Sequence, residues 1–180
     1  MPIERKKTLN VFKDAREAWG SYDDFPVGEP GVDPMPHLSR NRVPQPFWLV
    51  SEADQVIVQM AGAGEIAFRD IEPAKMPLAP GDTVYIPAGV PSRLTPFGEN
   101  VQIRLKAEPP VREAVAWFCE CGALVHAVEI APGIVQDQYL AAVDGFNTDE
   151  NRRTCRACAR VHPPASLGDV AWAQTAAALR

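Results

Sequence analysis

The chain has 180 residues, 46% of them hydrophobic, which suits one domain, or one domain with a small appendage, around a real core. A formal charge of −5 and a pI near 5.2 exclude non-specific nucleic-acid binding, which needs a basic surface. Met1 to Lys7 is charged with no apolar stretch behind it, and no run approaches the about 18 apolar residues of a membrane span. The sequence therefore predicts a cytoplasmic protein with neither signal peptide nor membrane partner.

In chain order, a first helix is predicted around Leu9 to Trp19. Residues 21–46 are rich in Gly, Pro and Asp and read as an extended lead-in too broken for regular structure; they contain His37, Arg40 and Arg42. From Phe47 the texture changes to short apolar runs separated by turns. Strands are predicted at Phe47–Val50, Asp54–Met60, Gly64–Arg69, Lys75–Leu78, Thr83–Ile86, Ser92–Thr95 and Asn100–Ala107. Strands at this spacing, with no long helices between them, predict an all-β sandwich or barrel rather than a parallel βαβ layout. After Pro109-Pro110, Ala116–Cys119 and Leu124–Ile130 can form a hairpin, Val135–Phe146 a helix, and Thr148–Arg153 a polar approach to the last cysteines. Ser166, with Asp169 three residues on, is predicted to cap a final helix over the Ala-rich residues 170–179. The division expected is therefore a lead-in at 1–46, a barrel at 47–108 and an extension at 109–180.

Four cysteines in a cytoplasmic chain read as metal ligands rather than crosslinks, because disulfides rarely persist there. Cys155-x-x-Cys158 lets two thiolates face one tetrahedral ion, and Cys119-x-Cys121 supplies the other two from a tighter loop. Gly122 is expected to make a turn whose amides point at sulfur. Such ligands take zinc or iron, and the role expected is structural, pinning a tail with little core of its own. His126 replacing a cysteine is the alternative ligand; His162 reads as a surface loop residue.

The run Leu78 to Thr95, LAPGDTVYIPAGVPSRLT, resembles the second sequence motif of the cupin superfamily, and Gln59 to Glu65, QMAGAGE, resembles the end of the first. The tail segments Trp117 to Gly122, Leu124 to His126, Arg152 to Cys158 and Val161 to Pro163 resemble those of bacterial 3-hydroxyanthranilate 3,4-dioxygenases. The resemblance implies a mainly β, cupin-type jelly-roll barrel, a homodimer, and a C-terminal metal on four cysteines away from the chemistry. It also implies ring opening of an ortho-aminophenol carboxylate by O2 at an Fe(II) held by two histidines and a glutamate. This chain departs from that pattern. Ser92 stands where the second histidine belongs, Gln55 replaces the glutamate, and no histidine occurs from Phe47 to Gln55. Serine and glutamine are neutral, weak oxygen donors that cannot stand in for imidazoles. No metal is therefore expected in the barrel, and the chain reads as a pseudoenzyme candidate.

A barrel without iron can still bind a small aromatic or carboxylate compound. The candidate liners are Arg42, Gln45, Trp48, Gln55, Gln59, Ser92 and Arg104, with Arg93 and Gln102 beside them. An inward arginine, Arg42 or Arg104, is expected to pair with a ligand carboxylate. Glu52, Asp54 and Glu65 are the candidates for proton transfer in a metal-independent reaction. The alternatives are a non-catalytic cupin acting as a ligand-binding or scaffold protein, and an active oxygenase whose metal site is rebuilt on His37 and carboxylates.

Overall fold

The computed structural model describes Asn10, Phe12 and residues 23–180. Its described strands are β1 (Asp23–Pro26), β2 (Met35–Asn41), β3 (Trp48–Ser51), β4 (Gln55–Ala61), β5 (Gly64–Phe68), β6 (Lys75–Leu78), β7 (Thr83–Ile86), β8 (Ser92–Pro96), β9 (Asn100–Lys106), β10 (Glu113–Phe118) and β11 (Leu124–Ile130). They form two antiparallel sheets, ordered β1-β2-β9-β4-β7 and β11-β10-β3-β8-β5-β6. Three helices follow: α1 (Val135–Thr148), α2 (Glu150–Arg153) and α3 (Trp172–Leu179). The architecture is mainly β, a two-sheet jelly roll with short helices at its C-terminal end. No described helix is long and apolar enough to cross a membrane. The helix expected at Leu9 to Trp19 lies outside the described residues apart from Asn10 and Phe12.

Alternation explains the barrel core. One face of β4, β5, β7 and β8 carries Ile57, Ile66, Val84, Ile86 and Leu94, which pack together with Phe68 and Leu78 between the sheets. A second cluster lies beyond it, where β3, β10 and β11 present Leu49, Val115, Trp117 and Ile130 to Tyr139, Val143 and Phe146 of α1 and Trp172 of α3. Trp117 and Phe146 stack with ring centroids 4.2 Å apart. Gly62 makes a close crossing at the end of β4. Its φ is +74° and a Cβ there would lie 2.3 Å from the Glu99 carbonyl oxygen, so only glycine fits.

Several sequence expectations change. The lead-in is not irregular: Met35–Asn41 forms β2, a central strand paired with both β1 and β9. Its one proline, Pro36, still accepts a hydrogen bond from the Val27 amide at 3.0 Å, and the helix- and strand-breaking residues cluster in the turns on either side. The sheets also run past the 47–108 span expected for the barrel, because β2 pairs with β9 and β10 pairs with β3. The final helix begins at Trp172 rather than after Ser166, with Ala171 before it and no side-chain cap. Gly168 at φ +57° interrupts the chain there, and Asp169 pairs with Arg42 instead of capping. The polar stretch before the last cysteines contains α2, capped by Asp149, whose carboxylate accepts from the Asn151 amide at 2.9 Å.

Candidate functional site

The inner face of the first sheet is polar where it borders the helices. Residues alternate along a strand, so His37, Ser39 and Asn41 of β2 share a face, as do Gln102, Arg104 and Lys106 of β9. With Gln55 and Gln59 of β4 they put a band of polar side chains inside the barrel. At the helical end of this band is a cavity of about 270 Å³. Met35, Val111, Ile134 and Leu179 form its apolar walls, and His37, Gln55, Lys106, Glu113 and Gln136 its polar ones.

Glu113 is the hub of that cavity. It sits on β10, only 6% exposed, where both sheets and α1 meet. Lys106 Nζ lies 3.1 Å from Oε1, Gln55 donates to the same oxygen at 3.2 Å, and the Tyr139 hydroxyl donates to Oε2 at 2.5 Å. Burial pushes the Glu113 carboxyl up, but Lys106, the Tyr139 hydroxyl and Arg104 outweigh it and hold the group below its ordinary value. The carboxylate is therefore ionised at neutral pH.

The second site is the cysteine cluster. Cys119 closes β10, Cys121 lies in the following turn, and Cys155 and Cys158 follow α2. The Sγ atoms of Cys119 and Cys158 are 3.6 Å apart, those of Cys121 and Cys155 3.7 Å, and all four lie within 4.8 Å of one another. A tetrahedron with Zn–S bonds of about 2.3 Å has edges of about 3.8 Å, so the donors fit a tetrahedral ion. Among the described residues this is the one group of three or more His, Cys, Asp or Glu donors that converge. His126 is outside it. That ring stacks on Trp117 at 6.0 Å, and burial lowers its pKa. His162 is half-buried, its amide donating to the Arg153 carbonyl at 2.8 Å.

The turn chemistry differs from expectation. Gly122 has φ +93°, and its amide donates to the Cys119 carbonyl oxygen at 2.9 Å rather than to sulfur. Amides serve the other pair: those of Cys158 and Ala157 lower the Cys155 thiol to about 7. For Cys158 the Arg160 amide acts downward, but the sulfurs of Cys119, Cys155 and Cys121 push it up to about 11. Cys155 therefore ionises more readily than Cys158, and a divalent cation bound to the four sulfurs would favour their thiolate forms.

No family model matches the chain. Among curated proteins it is 26% identical to the 3-hydroxyanthranilate 3,4-dioxygenase of Podospora anserina over 139 residues, covering 75% of this chain and 70% of that protein. The enzyme of the same name from Yarrowia lipolytica is 24% identical over 147 residues, covering 79% and 80%. That of Ruegeria pomeroyi is 30% identical over 92 residues, covering 49% and 51%. Among solved structures, a hydroquinone 1,2-dioxygenase complex with Cd2+ and 4-hydroxybenzonitrile superposes with a TM-score of 0.50 at 15% identity, covering 61% of this chain and 85% of that one, which speaks for the fold alone.

The chain is thus similar in sequence to 3-hydroxyanthranilate 3,4-dioxygenases and has a cupin-type jelly-roll fold. Of the pocket residues expected from the sequence, Gln55 lines the cavity, whereas Arg104, 3% exposed, does not. Gln59 and Gln102 are buried deeper, bonded to each other at 2.6 Å, and Gln59 also donates to the Ala61 and Gly62 carbonyls. Gln45 donates to the Phe47 and Ser92 carbonyls at 3.0 and 3.1 Å, tying the lead-in to the barrel. Ser92 is buried and sits in register with Leu49 of β3.

The others stand elsewhere. Arg42 is at the surface against Asp169. Trp48 lies on the outer face of its sheet, edge-on to Phe118 at 6.2 Å, with the Arg93 guanidinium 5.1 Å from its centroid. None of the three carboxylates considered for proton transfer lines the cavity. Glu52 meets Arg112 at 2.6 Å, and that hydrogen bond lowers its pKa; Asp54 accepts from the Ala88 amide at 2.8 Å, which lowers it likewise; Glu65 meets Lys75 at 2.9 Å. All three are salt-bridged or turn-bracing surface groups. Sequence reasoning missed Lys106, Glu113 and Tyr139. The signal was a lone acid at the head of the alternating run Glu113, Val115, Trp117, and a lysine in phase with Gln102 and Arg104.

Proposed function

We infer that this cupin binds a small aromatic amino-carboxylate in the cavity of about 270 Å³, without a ferrous ion held inside the barrel. The observation that carries the reading is a cavity with apolar walls and two opposite charges, Lys106 and Glu113, on one side. A cavity of about 150 Å³ accommodates benzene, so a substituted ring fits here with room for its polar groups. The curated relatives are named for 3-hydroxyanthranilate, whose ring bears a carboxylate, an amine and a hydroxyl. Lys106 suits the carboxylate, Glu113 suits an N–H or O–H donor, and Met35, Val111 and Ile134 suit the ring.

The donor set inside the barrel does not suit ferrous iron. The positions that the resemblance matches to ligands carry Gln55, whose amide donates to Glu113, and Ser92, which lies in register between Leu49 and Phe68. His37 is the single histidine lining the cavity, and one imidazole falls short of the two-histidine, one-carboxylate set. The cysteine cluster is read as the metal site, zinc or iron, with a structural role. A homodimer belongs to the same proposal.

Calorimetric titration with 3-hydroxyanthranilate, followed by an oxygen electrode after incubation with ferrous iron, tests the reading. Saturable binding without oxygen uptake is expected. Oxygen uptake with ring opening would revive the rebuilt oxygenase, and no saturable binding of any aromatic carboxylate would favour the scaffold.

A further inference from the structure

Glu113 and Lys106 form a buried ion pair on the wall of the cavity, which packing alone does not call for. A buried ion pair is often no more stable than apolar side chains of the same volume, so its position on a cavity wall, rather than within either apolar cluster, points to chemistry. The carboxylate is fixed from three elements: Gln55 of β4, Lys106 of β9 and Tyr139 of α1. The ammonium beside it is only 12% exposed. A base and an electrophile a hydrogen bond apart, facing one small cavity, form the pair needed to move a proton from carbon to oxygen.

We propose that Glu113 and Lys106 catalyse keto–enol tautomerisation of a small 2-oxo carboxylic acid bearing an aromatic ring. The proposal rests on the cavity being a ligand site. Glu113 removes a proton from the carbon next to the ketone. The C–H electron pair becomes the new C=C bond, and the carbonyl π pair moves onto oxygen. Lys106, drawn from Glu113 to that oxygen and the carboxylate beside it, stabilises the charge and gives the oxygen a proton. The proton on Glu113 then returns to Lys106 across their hydrogen bond, which resets the site with no oxidant, reductant or second reactant. His37 and Glu108 line the same cavity, and Arg104, outside its lining, acts electrostatically on Glu113. Tyr139 does not line the cavity and is a positioning residue for the carboxylate.

The test uses phenylpyruvate in D2O, with deuterium entry at its C3 followed by proton NMR and binding measured separately by calorimetry. The wild type should accelerate exchange saturably over buffer. Glu113→Gln should lower kcat by about 100-fold or more while KM stays within about threefold, and Lys106→Met should lose both exchange and binding. Tyr139→Phe should lower kcat with KM unchanged, a split that a purely structural role would not give. Glu52→Gln, on the surface, should match the wild type. If Glu113→Gln does not fold, Glu113→Asp, which keeps the charge but withdraws it, should show the same loss of kcat. Binding without exchange above buffer, or wild-type exchange in folded Glu113→Gln, overturns the catalytic proposal and leaves the ligand reading standing; no binding of any aromatic carboxylate overturns both.

Discussion

Replacing Lys106 with methionine isolates the charge at the centre of the cavity. The substitution keeps most of the side chain's volume and removes the ammonium 3.1 Å from a carboxylate that is 6% exposed. Breaking a buried pair from one side costs about 3–5 kcal/mol, because the remaining charge stays desolvated. The pH dependence gives the sharper signature. In the wild type Glu113 titrates below its unfolded value of 4.5, so its contribution to stability is complete above that pH and is lost as the pH falls through the folded pKa. In Lys106→Met the leading downward influence is gone and burial takes over. The folded group then titrates above its unfolded value, and the variant gains stability as the pH falls. Urea unfolding between pH 4 and pH 8 should therefore show a gap of about 3–5 kcal/mol at pH 7 that narrows toward pH 4. A gap that is constant across the range, or under about 1 kcal/mol at pH 7, would refute the charge coupling described for Glu113.

Phe146→Ala should destabilise the fold by about 3–5 kcal/mol in urea titrations, since the ring is 2% exposed and stacked on Trp117. Gly62→Ala should cost more than about 1 kcal/mol by the same assay, because the new Cβ would have to displace the Glu99 carbonyl from a position of positive φ. Asp54→Asn and Glu65→Gln should leave ligand binding by calorimetry unchanged, as both carboxylates lie off the cavity. If the four cysteines hold a metal, chelating it should raise amide hydrogen exchange in α2 and the Cys119–Gly122 turn while leaving β4, β5 and β8 protected.

Much of the barrel is legible in the sequence because its strands alternate cleanly between turn residues. Lys75–Leu78, Thr83–Ile86 and Leu124–Ile130 form at their expected bounds, and the helix from Val135 runs two residues past its expected end at Phe146. β2 was hidden because Pro36, His37, Ser39 and Arg40 carry little apolar signal; on the face that Met35 begins, His37, Ser39 and Asn41 belong to the polar band. The cysteine cluster was readable from spacing, since thiolates leave few other roles. The charged wall of the cavity was not. Glu113 and Lys106 belong to strands that converge only through tertiary structure, and their neighbours in sequence give no hint that they meet Tyr139 of a helix 26 residues further on. The exposed acids near the cupin motif looked more promising only because they lay closer to the motif in the chain.

The proposed metal site lies in the tail and not in the barrel. Native mass spectrometry of protein reconstituted with both zinc and ferrous iron, repeated on Cys155→Ser/Cys158→Ser, tests it most directly. One ion per chain is expected in the wild type and none in the variant. A second ion in the wild type that survives loss of the two cysteines would contradict it.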